Sequence, residues 1–115
     1  MQEFLNIPFI AINGKYGLTI KAASISFEMS DNCYATAQVS FEAYYQKNIE
    51  KKRGKRIVIA LYDEQERLFE SQQVNHQLSD SGFDLISEHI FYHRNAIPSK
   101  VVVNIQEMRS RTNND

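Results

Sequence analysis

The stretch CYATAQVSFEAYY, residues 33–45, decides the fold class. Cys33, Ala35, Ala37, Val39, Phe41 and Ala43 are apolar, whereas Thr36, Gln38, Ser40 and Glu42 between them are polar. Successive side chains of a strand point to opposite faces, so this period of two predicts a long, half-buried strand with small residues on its inner face. Its period is wrong for a helix. Tyr34 and Tyr44 fall on the polar face and are expected to be exposed; Tyr45 stands where it either closes the core or joins a surface patch.

Upstream, GLTIKAASISFEMS (residues 17–30) alternates through Leu18, Ile20 and Ala22, then through Ile25, Phe27 and Met29. The phase slips by one near Ala23 and Ser24. A β-bulge there returns both halves to the core, whereas an unbroken strand turns one half outward. Asp31 and Asn32 have the character of a turn. NIPFIAINGKYG (residues 6–17) predicts an N-terminal strand with a hairpin turn at Asn13-Gly14.

Downstream, RIVIALY (residues 56–62) is apolar at nearly every position, which predicts a central strand covered on both faces. RLFESQQVNHQL (residues 67–78) is mostly polar and reads as an edge strand or irregular segment; as an edge it is open to pairing with a second copy or a partner strand. In LSDSGFDLI (residues 78–86), Gly82 punctuates a loop from which Phe83 or Ile86 folds inward. SEHIFYHRN and KVVVNIQEM give two more strands, with Pro98 in the turn between them.

No segment of helical length has a 3.6-residue period. About seven short strands joined by tight turns predict an all-β, antiparallel two-sheet sandwich of immunoglobulin-like type. Its core is expected to contain Phe27, Val39, Phe41, Ile57, Ile59, Leu61 and Val103. At 115 residues, 43% hydrophobic and 23% charged, the chain suits one domain, assigned to residues 1–108, with a disordered tail over 109–115.

The hairpin IALYDEQERL, residues 59–68, resembles the strand-turn-strand of FxLYD-type and fibronectin-type-III-like bacterial sandwich domains. Their apolar strand ends in Leu-Tyr-Asp, as at Leu61, Tyr62 and Asp63, before a polar turn containing glycine. Ile59 stands where the pattern has Phe, and Glu64-Gln65-Glu66 replaces the glycine turn. The resemblance covers about ten residues and implies a non-catalytic, partner-binding module.

The formal charge of −1 hides an asymmetry. KNIEKKRGKR, residues 47–56, carries Lys47, Lys51, Lys52, Arg53, Lys55 and Arg56 against Glu50, a local +5 that leaves −6 on the remainder. Lys51, Lys52, Arg53, Lys55 and Arg56, with Tyr44 and Tyr45 at the base of the loop, are the candidate partner-binding residues. They suit another protein with an acidic surface. Nucleic-acid binding by the same cations and tyrosines stands second, because the −6 remainder repels a polyanion outside the loop. A charge run is also the ordinary composition of a solvated turn.

No catalytic residue is assigned. The chain lacks a nucleophile elbow, a HExxH metal motif and a phosphate-cradling glycine loop, so no cofactor and no enzymatic activity are expected. His89 and His93 share a strand face but lie ~13 Å apart along an extended chain, too far to chelate one ion. Asp80, Asp84 and Glu88 have the wrong spacing for a calcium loop. The lone Cys33 cannot form an internal disulfide. With no charged and apolar leader at the start, it points to the cytoplasm, although a secreted or periplasmic chain already trimmed would read the same. No stretch is long and apolar enough to anchor the chain in a membrane.

Overall fold

A computed structural model describes residues 3–12, 14–30, 34–49, 54–93 and 96–107. It contains eight strands: β1 (Glu3–Leu5), β2 (Phe9–Ala11), β3 (Thr19–Met29), β4 (Ala35–Tyr44), β5 (Lys55–Tyr62), β6 (Leu68–Gln73), β7 (Phe83–Tyr92) and β8 (Lys100–Glu107). They form a two-sheet sandwich ordered β1-β3-β4-β7 in the first sheet and β2-β8-β5-β6 in the second.

The residues that alternate in the sequence alternate in burial. On β4, Ala35, Ala37, Val39, Phe41 and Ala43 face inward, with Phe41 only 2% exposed. Ile57, Ile59 and Leu61 of β5, with Val101, Val103 and Ile105 of β8, meet them in one apolar cluster. All seven expected core residues belong to it. The ring of Phe9, on β2, packs edge-on against Phe41 at 6.3 Å.

The expected slip in β3 is a bulge. The register with β4 runs from Lys21↔Glu42 directly to Ser24↔Ser40, so Ala22 and Ala23 together oppose one residue. Ala22 takes φ +54, the left-handed conformation that supplies the extra residue's bend. Leu18 and Ile20 before the bulge, and Ile25 and Phe27 after it, all reach the core. Met29, beyond them, is exposed at the strand end.

Three expectations need correction. The strands number eight because the N-terminal segment breaks between Leu5 and Phe9. Its first part pairs with β3, and its second crosses to the other sheet and runs parallel to β8, so the sandwich is not wholly antiparallel. Consequently β2 and β3 lie in different sheets and do not pair as a hairpin. Asn13 lies outside the described residues, and Gly14 (φ +47) opens a 3-10 turn at Gly14–Tyr16 that carries the chain back from the second sheet to the first. The long strands β3 and β4 are neighbours in the first sheet. Finally, β5 is central but not covered on both sides. Arg56, Val58, Ala60 and Tyr62 on its outer face are only half-buried, because a two-layer sandwich covers each sheet once.

The β5–β6 hairpin explains how a turn without glycine closes. Asp63 Oδ1 accepts the backbone N–H groups of Gln65 and Arg67, and Glu66 adopts φ +64, the conformation a glycine would supply. The expected turn at Asp31-Asn32, residue Cys33 and the tail over 109–115 lie outside the described residues.

Phe41→Ala is expected to cost about 3–5 kcal/mol, the transfer energy plus an unfilled cavity between the sheets. Ala22→Gly should be neutral or stabilise by up to ~1 kcal/mol, because relief of the left-handed alanine exceeds the added freedom of the unfolded chain. Ala22→Val should destabilise. Urea unfolding midpoints for the three variants check all of these.

Candidate functional site

The sequence candidates separate into residues that hold the fold and residues that present a surface. Tyr45 belongs to the first group. Its ring is 7% exposed, and its hydroxyl lies among Ser79 and Asp84. The hydroxyl donates to Asp84 Oδ2 and accepts the Ser79 backbone N–H at 2.7 Å. Burial, reinforced by the Asp84 hydrogen bond, pushes the phenol up to about 12. Gly82 completes this latch: its φ is +75, its carbonyl accepts the Tyr45 N–H, and a Cβ there would stand 2.6 Å from the Tyr45 carbonyl oxygen. Tyr45 therefore closes the core and cannot serve as an exposed docking ring.

Lys55 is the second correction. It continues the inward parity of Ile57 and Ile59 and is 5% exposed. Its ammonium pairs with Glu107 at 3.4 Å and lies over the Tyr16 ring, 5.8 Å from the centroid. Its charge is thus used at the end of the second sheet. Arg56 has the opposite parity, is half-buried, and donates to the Lys55 carbonyl. Lys47 is exposed, with its stem beside Gly82 at the start of β7. Lys51, Lys52 and Arg53 lie outside the described residues.

Tyr34 and Tyr44 are exposed, as the period requires. Both lie on the outer face of the first sheet, beside strand β7. Tyr34 stacks on His93 at 4.5 Å, and Tyr44 lies 5.0 Å from Phe83. The Tyr44 hydroxyl donates to Glu42 at 2.9 Å, which raises its pKa, and Lys21 sits over its ring.

Between these pairs, β7 contributes residues that the sequence analysis did not single out. Leu85 is 71% and Phe91 70% exposed, while Ile86, Ile90 and Tyr92 of the same strand are buried. The signal was in the sequence: FDLISEHIFY has apolar residues in both parities, more than one core face needs. Residues on and next to β7 and β4 thus make a strip of Tyr34, His93, Phe91, Leu85, Phe83 and Tyr44, with Ser87 and His89 between Leu85 and Phe91. Apolar patches on monomer surfaces are commonly sites of association.

The remaining titratable candidates do not converge. Asp84 serves the Tyr45 latch, Glu88 accepts from Gln72, and Asp80 is exposed. The His76 ring contacts its neighbour's carbonyl at Gln77, while His89 and His93 lie along the β7 face. Among the described residues, no group of three or more His, Cys, Asp or Glu side chains is placed to hold a metal ion. A shallow cleft of about 470 Å³ lies between the β5–β6 turn and Ala96-Ile97. Asp63, Gln65 and Arg67 in its lining are engaged with one another: Asp63 also accepts from Arg67 Nε at 3.3 Å and is held below the usual carboxylate range by the turn's backbone N–H groups. No protein-family model matches the chain, and no curated protein or solved structure does either.

Gly82→Ala is expected to cost about 1–3 kcal/mol through the disfavoured φ, with the Cβ contact adding to it. For the Tyr45 phenol, an unfolded value of 10.0 below a folded value of about 12 means that its contribution is complete below pH 10 and lost as pH rises toward 12. Tyr45→Phe should therefore be less stable than the parent near pH 8 but lose less stability between pH 10 and 12, measured by chemical unfolding at each pH.

Proposed function

We propose that this domain is a non-enzymatic protein–protein interaction module that docks through the outer face of the first sheet along β7. The carrying observation is the exposure of Leu85 and Phe91 on one strand face. Burying a large apolar side chain is worth about 1.5–3 kcal/mol, so these two residues have free energy to release to a partner. Tyr34 and Tyr44 extend the strip with rigid rings that lose little entropy on contact.

Lys47, the first cation of the basic segment, lies at one end of this face, beside Gly82 where β7 begins. Lys51, Lys52 and Arg53 would then steer an acidic region of the partner toward the apolar strip. The hairpin resemblance to FxLYD-type domains supports the same class of function. For nucleic acid the face is less suited: Glu42 and Glu28 lie along it, where a cationic track is needed.

The test is affinity capture from the native source followed by solution binding of the captured protein. Leu85→Ser combined with Phe91→Ser should leave the unfolding midpoint nearly unchanged, since both side chains are already in water, while lowering affinity at least tenfold. Charge reversal at Lys51, Lys52 and Arg53 should slow association and weaken its salt dependence. A partner that binds the double-serine variant as tightly as the parent would overturn the reading.

A further inference from the structure

The open edge of β7 specifies what kind of partner segment fits. Pairing between β4 and β7 runs without a shift from Tyr44↔Phe83 to Ala35↔Tyr92, and the Tyr45 N–H bonds to the Gly82 carbonyl at one end. In an antiparallel ladder each residue directs its N–H and C=O to the same side, and neighbours alternate. The backbone groups of Asp84, Ile86, Glu88 and Ile90 therefore face β4, and those of Leu85, Ser87, His89 and Phe91 face away. The His89 carbonyl fits this parity, because the Gln72 amide reaches it from β6 at 3.4 Å. Among the described residues β7 is the last strand of its sheet, so the residues that carry the exposed apolar side chains also offer backbone donors and acceptors at its edge.

Glu88 sits at the centre of that edge on the inward side, half-buried, accepting from Gln72 at 2.6 Å. Glu70 of β6, whose neighbour Phe69 packs edge-on against Tyr92 at 5.0 Å, adds a second carboxylate to the same flank. A second copy of β7 fits this edge poorly. Two-fold pairing that sets Leu85 against Phe91 puts Glu88 opposite Glu88. Shifting by two residues either way sets Glu88 against Ile86 or Ile90. Each arrangement opposes like charges or presses a carboxylate on an alkyl chain.

We propose that β7 is extended by a strand from a partner protein, with apolar side chains beside Leu85 and Phe91 and a lysine or arginine opposite Glu88. The inference rests on the interaction-module reading and names the segment that module receives. Main-chain pairing supplies the attachment, and Glu88 selects a cation while rejecting self-pairing.

The experiment uses the ¹⁵N-labelled full chain and two nine-residue peptides alternating threonine and valine, with either lysine or glutamate at the centre. The lysine peptide should shift the amides of Leu85, Ser87, His89 and Phe91 and bind at least tenfold more tightly than the glutamate peptide. Glu88→Lys should reverse that preference. Ser87→Pro removes an outward N–H and no bond to β4, so it should abolish binding while thermal unfolding stays cooperative. N-methylation of alternate backbone amides of the lysine peptide tests the same pairing without altering the protein, and should also abolish binding. Equal affinity for the two peptides, undiminished binding of the N-methylated peptide, or no shifts along β7 with either peptide would overturn the proposal. Strand addition would then be wrong while the module reading stands, provided that a captured protein still depends on Leu85 and Phe91.

Discussion

The structure depends on apolar side chains of β4 and β5 meeting between two sheets. Val39 and Phe41 face the layer formed by Ile57, Ile59 and Leu61, and each strand has only one residue in two to offer. That parity propagates. β3 must present Leu18 and Ile20 on one side of a discontinuity and Ile25 and Phe27 on the other, and a single extra residue at Ala22-Ala23 reconciles them. A bulge costs local strain at one alanine. An unbroken strand would expose several large side chains instead, and that larger penalty decides the outcome.

Parity also sorts the basic segment into fold and surface. Lys55 and Arg56 are adjacent in sequence and equal in charge. Lys55 inherits the inward phase of Ile57, so its ammonium is withdrawn to Glu107 and Tyr16, while Arg56 remains half-exposed on the opposite face. Tyr44 and Tyr45 divide in the same way at the end of β4. A candidate site assembled from neighbouring residues of suitable chemistry is thus cut in half by the pleat. The tyrosine that turns inward becomes the pin that holds β4 to the loop before β7.

The two sheet edges on one flank differ in how they are protected. β6 is short, with serine and glutamine along it, and its Gln72 reaches over to Glu88 and the His89 carbonyl. β7 is ten residues long and carries exposed Leu85 and Phe91. A long apolar edge invites indiscriminate pairing, and an inward-pointing charge is a recognised means of limiting it. Glu88 holds that position.

The sequence by itself determined the properties that depend on nearest neighbours along the chain. The period of two specified the strands, their inner faces and the exposure of Tyr34 and Tyr44, and the phase slip located the bulge. It also identified residues 67–78 as containing an edge strand, which β6 is. Tertiary structure decided what depends on which strands become neighbours. The crossing of the N-terminal segment from β3 to β8, the single covered face of β5 and the open edge of β7 follow from the order of strands in space, which no local pattern encodes. The same holds for the withdrawal of Tyr45 and Lys55, whose partners Ser79, Asp84 and Glu107 lie more than thirty residues away along the chain. Local alternation fixes the direction of a side chain relative to its own strand; what it meets there is set by the strands that fold against it.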